Sequence, residues 1–202
     1  MRAALAGAFA LTLTGTALAS DGTTQPQTGA APGLTGGLPF PVNIGGAFEL
    51  TDQEGDTRTE VDPSGNLQLL FFGYANCEAI CSVALPMMAE VADLLAEDGL
   101  SLTPVMVTID PKRDTVETIG APLEEMHSDF VGLTGTEEEL QKVYDLYSVE
   151  KEVVFTDPGY GEIFAHGSFI YLLDGSGDFL TIMPPILSVE RMVEIVSSYA
   201  TG

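Results

Sequence analysis

Gln68-Leu69-Leu70-Phe71-Phe72-Gly73 is a short, almost unbroken apolar run closed by glycine. Such a run predicts a strand buried on both faces, at the centre of a sheet. The period then changes. Val83, Leu85, Met88, Val91, Leu94 and Leu95 fall mostly three and four apart, which predicts an amphipathic helix over 82–97 that stops near Gly99. A second strand is expected over 102–109, then a helix over 115–126 with Asp114 or Thr115 as its cap. A short strand over 130–133 precedes Thr136 and Glu139, whose spacing is that of a capping box opening a helix that runs to about Tyr147. Strands over 168–173 and 178–182 flank the turn sequence Asp174-Gly175-Ser176-Gly177, and a helix over 188–199 with Ser188 as cap closes the chain. Upstream, 47–50 and 57–61 predict a short hairpin. Strands alternating with helices, with hairpins at both ends, give an α/β class: a mixed central sheet flanked by helices, preceded by an N-terminal hairpin.

The first residues have a different pattern. Met1-Arg2, an apolar stretch over 3–13 and Ala17-Leu18-Ala19 have the charged, apolar and small-residue order of a secretory signal, so 1–19 is expected to be a signal peptide cleaved after Ala19. A retained N-terminal anchor is the alternative reading. Residues 20–38, rich in Gly, Pro and Thr and without periodicity, are expected to be a flexible leader, leaving 39–202 as one domain with one core. Export implies a periplasmic, oxidising surrounding, with no stable membrane insertion once the signal is removed.

Charge narrows the partners. Thirty acidic residues stand against seven basic ones, a formal net charge of -23; loss of Arg2 leaves 30 against 6, or -24. A surface of that sign repels phosphate backbones and anionic headgroups, so nucleic acid is not an expected partner. The simplest reading is a solubilising surface on a monomer; steering toward a basic partner or a cation is the alternative.

The chain has two cysteines, Cys77 and Cys81, directly after the predicted central strand. At a strand-to-helix junction, backbone N–H groups and the helix dipole lower thiol pKa. Residues four apart on a helix share a face, with an axial separation of about 6 Å, near the upper end of what a disulfide tolerates. A bridge enclosing three residues constrains little of the unfolded chain, so a purely stabilising disulfide is the weaker reading and a redox or metal pair the stronger. A third ligand would define a metal site, and the chain has two histidines, His127 and His166. His166, expected in a loop at the mouth of the 168–173 strand, can converge on the thiols at one sheet edge. Two thiolates and an imidazole suit copper(I), while a hydrogen-bonded surface histidine is the ordinary alternative. His127 takes that ordinary reading, as do Met87 and Met88, which read as core filling rather than extra ligands.

Four ordered blocks carry a family resemblance: Phe71-Phe72-Gly73-Tyr74-Ala75-Asn76-Cys77-Glu78-Ala79-Ile80-Cys81, Val107-Thr108-Ile109-Asp110-Pro111-Lys112-Arg113-Asp114-Thr115, Gly132-Leu133-Thr134-Gly135-Thr136 and His166-Gly167-Ser168-Phe169-Ile170-Tyr171-Leu172. In order and spacing they resemble the Sco/SenC family. The resemblance implies a thioredoxin-like, three-layer fold. It also implies an extracytoplasmic copper metallochaperone that delivers copper(I), with copper(II) as a second state, to the CuA site of cytochrome c oxidase subunit II or another copper-receiving protein. Carried over by residue, the family's metal ligands fall on Cys77, Cys81 and His166, and Asp110 to Thr115 reads as architectural. The implied protein is a carrier rather than an enzyme. A thiol-disulfide oxidoreductase using Cys77 and Cys81 to reduce a partner before metal loading, or a redox or copper sensor, are the alternatives. The chain departs from the family pattern at Glu78 and Ser82, where prolines commonly flank the thiols, and at Ala165, where an acidic residue often precedes the histidine.

Overall fold

The computed structural model describes residues 43–75, 81–159 and 161–200. The expected signal peptide and leader, as well as Cys77 and Glu78, lie outside the described residues.

In chain order the elements are β1 (Leu50–Thr51), β2 (Thr57–Arg58), β3 (Leu67–Gly73), α1 (Cys81–Glu97), β4 (Leu102–Thr108), α2 (Val116–Glu124), β5 (Val131–Leu133), α3 (Glu137–Leu146), β6 (Lys151–Asp157), β7 (Gly161–His166), β8 (Ile170–Leu173), β9 (Phe179–Met183) and α4 (Val189–Ala200). The main sheet has the order β5-β4-β3-β8-β9, with β3 parallel to β4, β4 parallel to β5, and β8 antiparallel to both β3 and β9. It is the mixed, helix-flanked sheet of the thioredoxin-like class. β1 and β2 form the expected N-terminal hairpin, shortened to two residues a side.

Burial explains the centre. All seven residues of β4 are buried, as are six of the seven in β3, because both strands have neighbours on each side and helices over the sheet. Alternation along β3 divides its side chains between the two faces. Phe72 packs its ring against Tyr144 and, beyond α3, Tyr147, at centroid distances of 6.0 and 5.4 Å, and against Tyr171 of β8 at 5.7 Å. The Tyr144 hydroxyl donates to the carbonyl oxygen of Thr108 (2.7 Å) and that of Tyr171 to the carbonyl oxygen of Tyr147 (2.9 Å), so α3 is fastened to two strands. On α1, Leu85, Met88, Val91 and Leu95 are buried in the core, and Met87 packs partly buried against it, the role expected of both methionines.

The predicted caps also form. Thr136 Oγ1 accepts the Glu139 N–H while the Glu139 carboxylate accepts the Thr136 N–H at 2.8 Å. Thr115, rather than Asp114, caps α2, and Ser188 Oγ accepts the Arg191 N–H at the start of α4. Gly175 in the β8–β9 turn is required by contact: a Cβ there would lie 2.4 Å from the Gly65 carbonyl oxygen.

The structure departs from the sequence reading between α3 and β8. A two-stranded antiparallel hairpin, β6–β7, stands there, paired from Lys151↔His166 to Asp157↔Gly161. Its turn uses Asp157, whose carboxylate accepts the Gly159 N–H at 2.7 Å, and Gly161 with φ +78°.

Candidate metal centre

Three chain segments leave the same edge of the sheet. β3 and β4 are parallel, so the loops after Gly73 and Thr108 emerge together, and β8, antiparallel to β3, begins there with Ile170 opposite Phe71. The first segment leads to Cys77 and Cys81, the second is Asp110 to Asp114, and the third is preceded by the β6–β7 hairpin. The carboxyl edge of parallel strands is where α/β sheets gather their functional groups.

His166 is the last residue of β7, not a loop residue at the mouth of β8 as the sequence suggested. Position in a ladder fixes its backbone: it pairs with Lys151, and the next residue extends the ribbon through Gly167 N–H to the Glu150 carbonyl at 3.3 Å. The half-buried imidazole meets two rings of the β3 exit edge-on, Phe71 at 6.1 Å and Tyr74 at 6.5 Å. Its Nδ1 lies 2.8 Å from the Gly167 carbonyl oxygen. A carbonyl only accepts, so this hydrogen bond places the proton of the neutral ring on Nδ1 and leaves Nε2 with its lone pair. That is the arrangement in which an imidazole is ready to ligate, with its other nitrogen oriented by a backbone acceptor.

Tyr74 relates the ring to the thiols. Cys77 is three residues further along the chain, and three residues reach at most about 11 Å. Cys77 itself lies outside the described residues. Cys81 is the first residue of α1. Among the described residues, no group of three or more His, Cys, Asp or Glu is placed to hold a metal ion. His127 has the ordinary role expected of it: Nδ1 accepts the Asp129 N–H at 3.1 Å and Nε2 lies 3.3 Å from Asp93 Oδ1.

The segment after β4 is tied to both others. Asp114 Oδ2 accepts the Thr108 hydroxyl at 2.7 Å and the Ala75 N–H at 3.1 Å, holding the chain two residues before Cys77. The Thr108 hydroxyl in turn accepts the Asp110 N–H at 2.9 Å, and the Thr134 hydroxyl donates to the Asp114 carbonyl at 2.6 Å. Burial of Asp114, which is 1% exposed, raises its pKa above the ordinary carboxylate value despite these donors. Across the hairpin, Lys151 Nζ donates to the Ile109 carbonyl at 3.1 Å and sits over the rings of Tyr144 and Phe164, at 5.0 and 5.7 Å. Its partial burial lowers its pKa. The long-range ties, from Asp114 to Ala75 and Thr134 and from Lys151 to Ile109, were not legible in the sequence, since they join groups that only the folded sheet edge brings together. Ala165, where the family often has an acidic residue, pairs with Glu152 across the hairpin.

Comparisons with known proteins agree on one family. The SCO1/SenC family model matches residues 37–201. An SCO2-like protein of Rickettsia conorii is 39% identical over 158 residues, covering 77% of this chain and 76% of the relative. Among solved structures, the copper-bound ScoI of Arabidopsis thaliana superposes with a TM-score of 0.73 at 28% identity, over 79% of this chain and 99% of that one. The copper-bound ScoI of Bradyrhizobium japonicum gives 0.68 at 30% identity, over 77% and 99%.

Proposed function

The chain belongs to the SCO1/SenC family, and from that premise we propose that it is an extracytoplasmic copper carrier whose cargo is held by Cys77, Cys81 and Nε2 of His166. Copper-bound relatives support the choice of metal, and the observation that carries the site is the imidazole itself. It is fixed at a strand end, its Nδ1 proton is engaged by Gly167, and its ring lies against the tyrosine three residues ahead of the first thiol.

Thiolates and imidazole are soft and borderline donors that hold copper(I) with low coordination number. Release follows by ligand exchange: each acceptor thiolate that bonds to the metal displaces one donor of this chain, and the metal keeps its oxidation state throughout. The acceptor is the CuA site of cytochrome c oxidase, on subunit II. The Cys77 and Cys81 thiols must be reduced for loading, so oxidation to a disulfide switches the carrier off. The protein acts in the periplasm after export by its N-terminal signal. None of the described helices is long and apolar enough to cross a membrane.

The test is copper(I) affinity of the reduced protein, measured by competition with a chromophoric chelator. His166→Ala is expected to weaken binding at least tenfold while leaving exchange of the two thiols with a small disulfide within about twofold of the parent. Unchanged affinity in His166→Ala would overturn the three-ligand site and favour a dithiol that acts by electron exchange alone.

A further inference from the structure

Basic residues are scarce in this chain: Arg2, Arg58, Lys112, Arg113, Lys142, Lys151 and Arg191 are all seven. Three of them fasten the β6–β7 hairpin to the segment after β4. Lys151 reaches back from the hairpin to the Ile109 carbonyl, Lys112 reaches the Glu162 carboxylate at 3.1 Å, and Arg113 donates from Nη2 to the Glu162 carbonyl at 2.7 Å. Of these, Arg113 is the most connected. Its Nε donates to the buried carboxylate of Asp110, and its guanidinium lies over the Tyr74 ring at 5.4 Å. Tyr74 in turn meets Phe164 and His166 of β7 edge-on, at 6.1 and 6.5 Å. One planar side chain thus touches the strand exit that leads to Cys77, the strand that carries His166, and the turn between them.

We propose that Asp110 to Asp114 is a bracket that sets the gap between imidazole and thiols, with Arg113 as its positioning residue. The inference rests on the assignment of His166 as a ligand. The hairpin needs such a bracket. β6 and β7 pair only with each other among the described strands, and Val154 and Phe155 of β6 are 61% and 55% exposed, so the ribbon's apolar anchorage is confined to β7, where half-buried Phe164 packs against the core. Polar ties supply the rest of its orientation, and they come from the segment whose other end, Asp114, holds the Ala75 N–H on the thiol side. A fixed fork suits this task better than a flexible ammonium, because Arg presents parallel donors in a rigid plane and stacks on an aromatic face at the same time. Loss of the bracket keeps all three ligand side chains in the sequence and lets the imidazole drift from the two thiols.

The experiment is a double-mutant cycle on the reduced full chain: parent, Arg113→Gln, His166→Ala and the pair together. Each is read by copper(I) competition and, in the metal-free protein, by hydrogen exchange of the amides over 162–167. Groups that orient a ligand are typically worth about 10–100-fold in affinity. Arg113→Gln is therefore expected to weaken copper(I) binding by about 10-fold or more when His166 is present, to change it by less than about twofold in His166→Ala, and to speed exchange over 162–167 without copper. Arg113→Lys keeps a cation over Tyr74 and gives an intermediate loss; it replaces Arg113→Gln in the cycle should that variant not fold. Unchanged affinity in Arg113→Gln, beside a loss in His166→Ala, would overturn the bracket and leave the ligand assignment standing. Equal losses in both backgrounds would reduce Arg113 to a general stabiliser and also overturn it. No effect of His166→Ala would remove the ligand assignment and the bracket with it.

Discussion

Removing the Asp114 carboxylate tests the thiol side of the sheet edge most sharply. In Asp114→Ala, the Thr108 hydroxyl and the Ala75 N–H lose their acceptor at a place where Asp114 is 1% exposed and Thr108 is fully buried. A buried donor left without a partner costs about 1–3 kcal/mol, the partly buried Ala75 N–H falls toward the low end, and the relief of burying a carboxylate offsets part of the sum. A net loss of about 2–4 kcal/mol follows from these two values. Asp114→Asn separates the contributions, because its side-chain oxygen still accepts while the charge is gone. The sign of the pH dependence is fixed by the direction of the shift. The folded carboxyl has a pKa raised above 3.8, so the native state holds its proton to higher pH than the unfolded chain. The stability this group contributes is present below pH 3.8 and is lost as pH rises through the raised folded value. Asparagine mimics the protonated acid and lacks that loss. Urea midpoints of the three proteins, taken from about pH 4 to pH 8 and compared as differences, therefore give a gap between Asp114→Asn and parent that widens in favour of Asp114→Asn and then levels. An Asp114→Ala protein within about 0.5 kcal/mol of the parent would refute the two-donor argument, and a gap that is flat with pH would refute the burial of charge.

The remaining expectations are smaller. Among the described residues, Tyr147 Oη is buried without a hydrogen-bond partner, so Tyr147→Phe should raise stability by about 1 kcal/mol, read as a melting temperature about 2–4 °C higher; a lower one would mean the hydroxyl has a favourable role. Thr136→Ala removes the side-chain half of the α3 capping box, and cap substitutions typically cost about 1 kcal/mol, visible as a lower urea midpoint with unchanged slope. The Glu139 carboxylate, held below its ordinary pKa by the Thr136 N–H and hydroxyl, contributes stability above its unfolded pKa that is lost as pH falls through the folded one, so the Thr136→Ala difference should shrink in acid.

Much of the fold was legible because its cues are local. The apolar run over 68–73, the three-and-four spacing after Ser82, and the Thr136/Glu139 pair each carry their own structural instruction, and each appears where expected. The β6–β7 hairpin was not legible in the same way. Nearly all of β6 is exposed, and three adjacent apolar residues, Val153, Val154 and Phe155, give no alternation to read. The cue that was present is the turn sequence Asp157-Pro158-Gly159 followed by Gly161. His166 stood out as one of two histidines and through the family resemblance, but its place at a strand end and its engaged Nδ1 depend on tertiary geometry. Arg113 is the clearest case: its hydrogen bond to Glu162 spans 49 residues, and no spacing rule points to it.

The ligand set itself can be counted. X-ray absorption at the copper edge, on the reduced chain loaded with one equivalent of copper(I), is expected to show two sulfur neighbours and one imidazole nitrogen, with the nitrogen absent in His166→Ala. A first shell of sulfur alone in the parent, or one that His166→Ala leaves unchanged, would contradict the central claim that two thiolates and this imidazole grip the metal together.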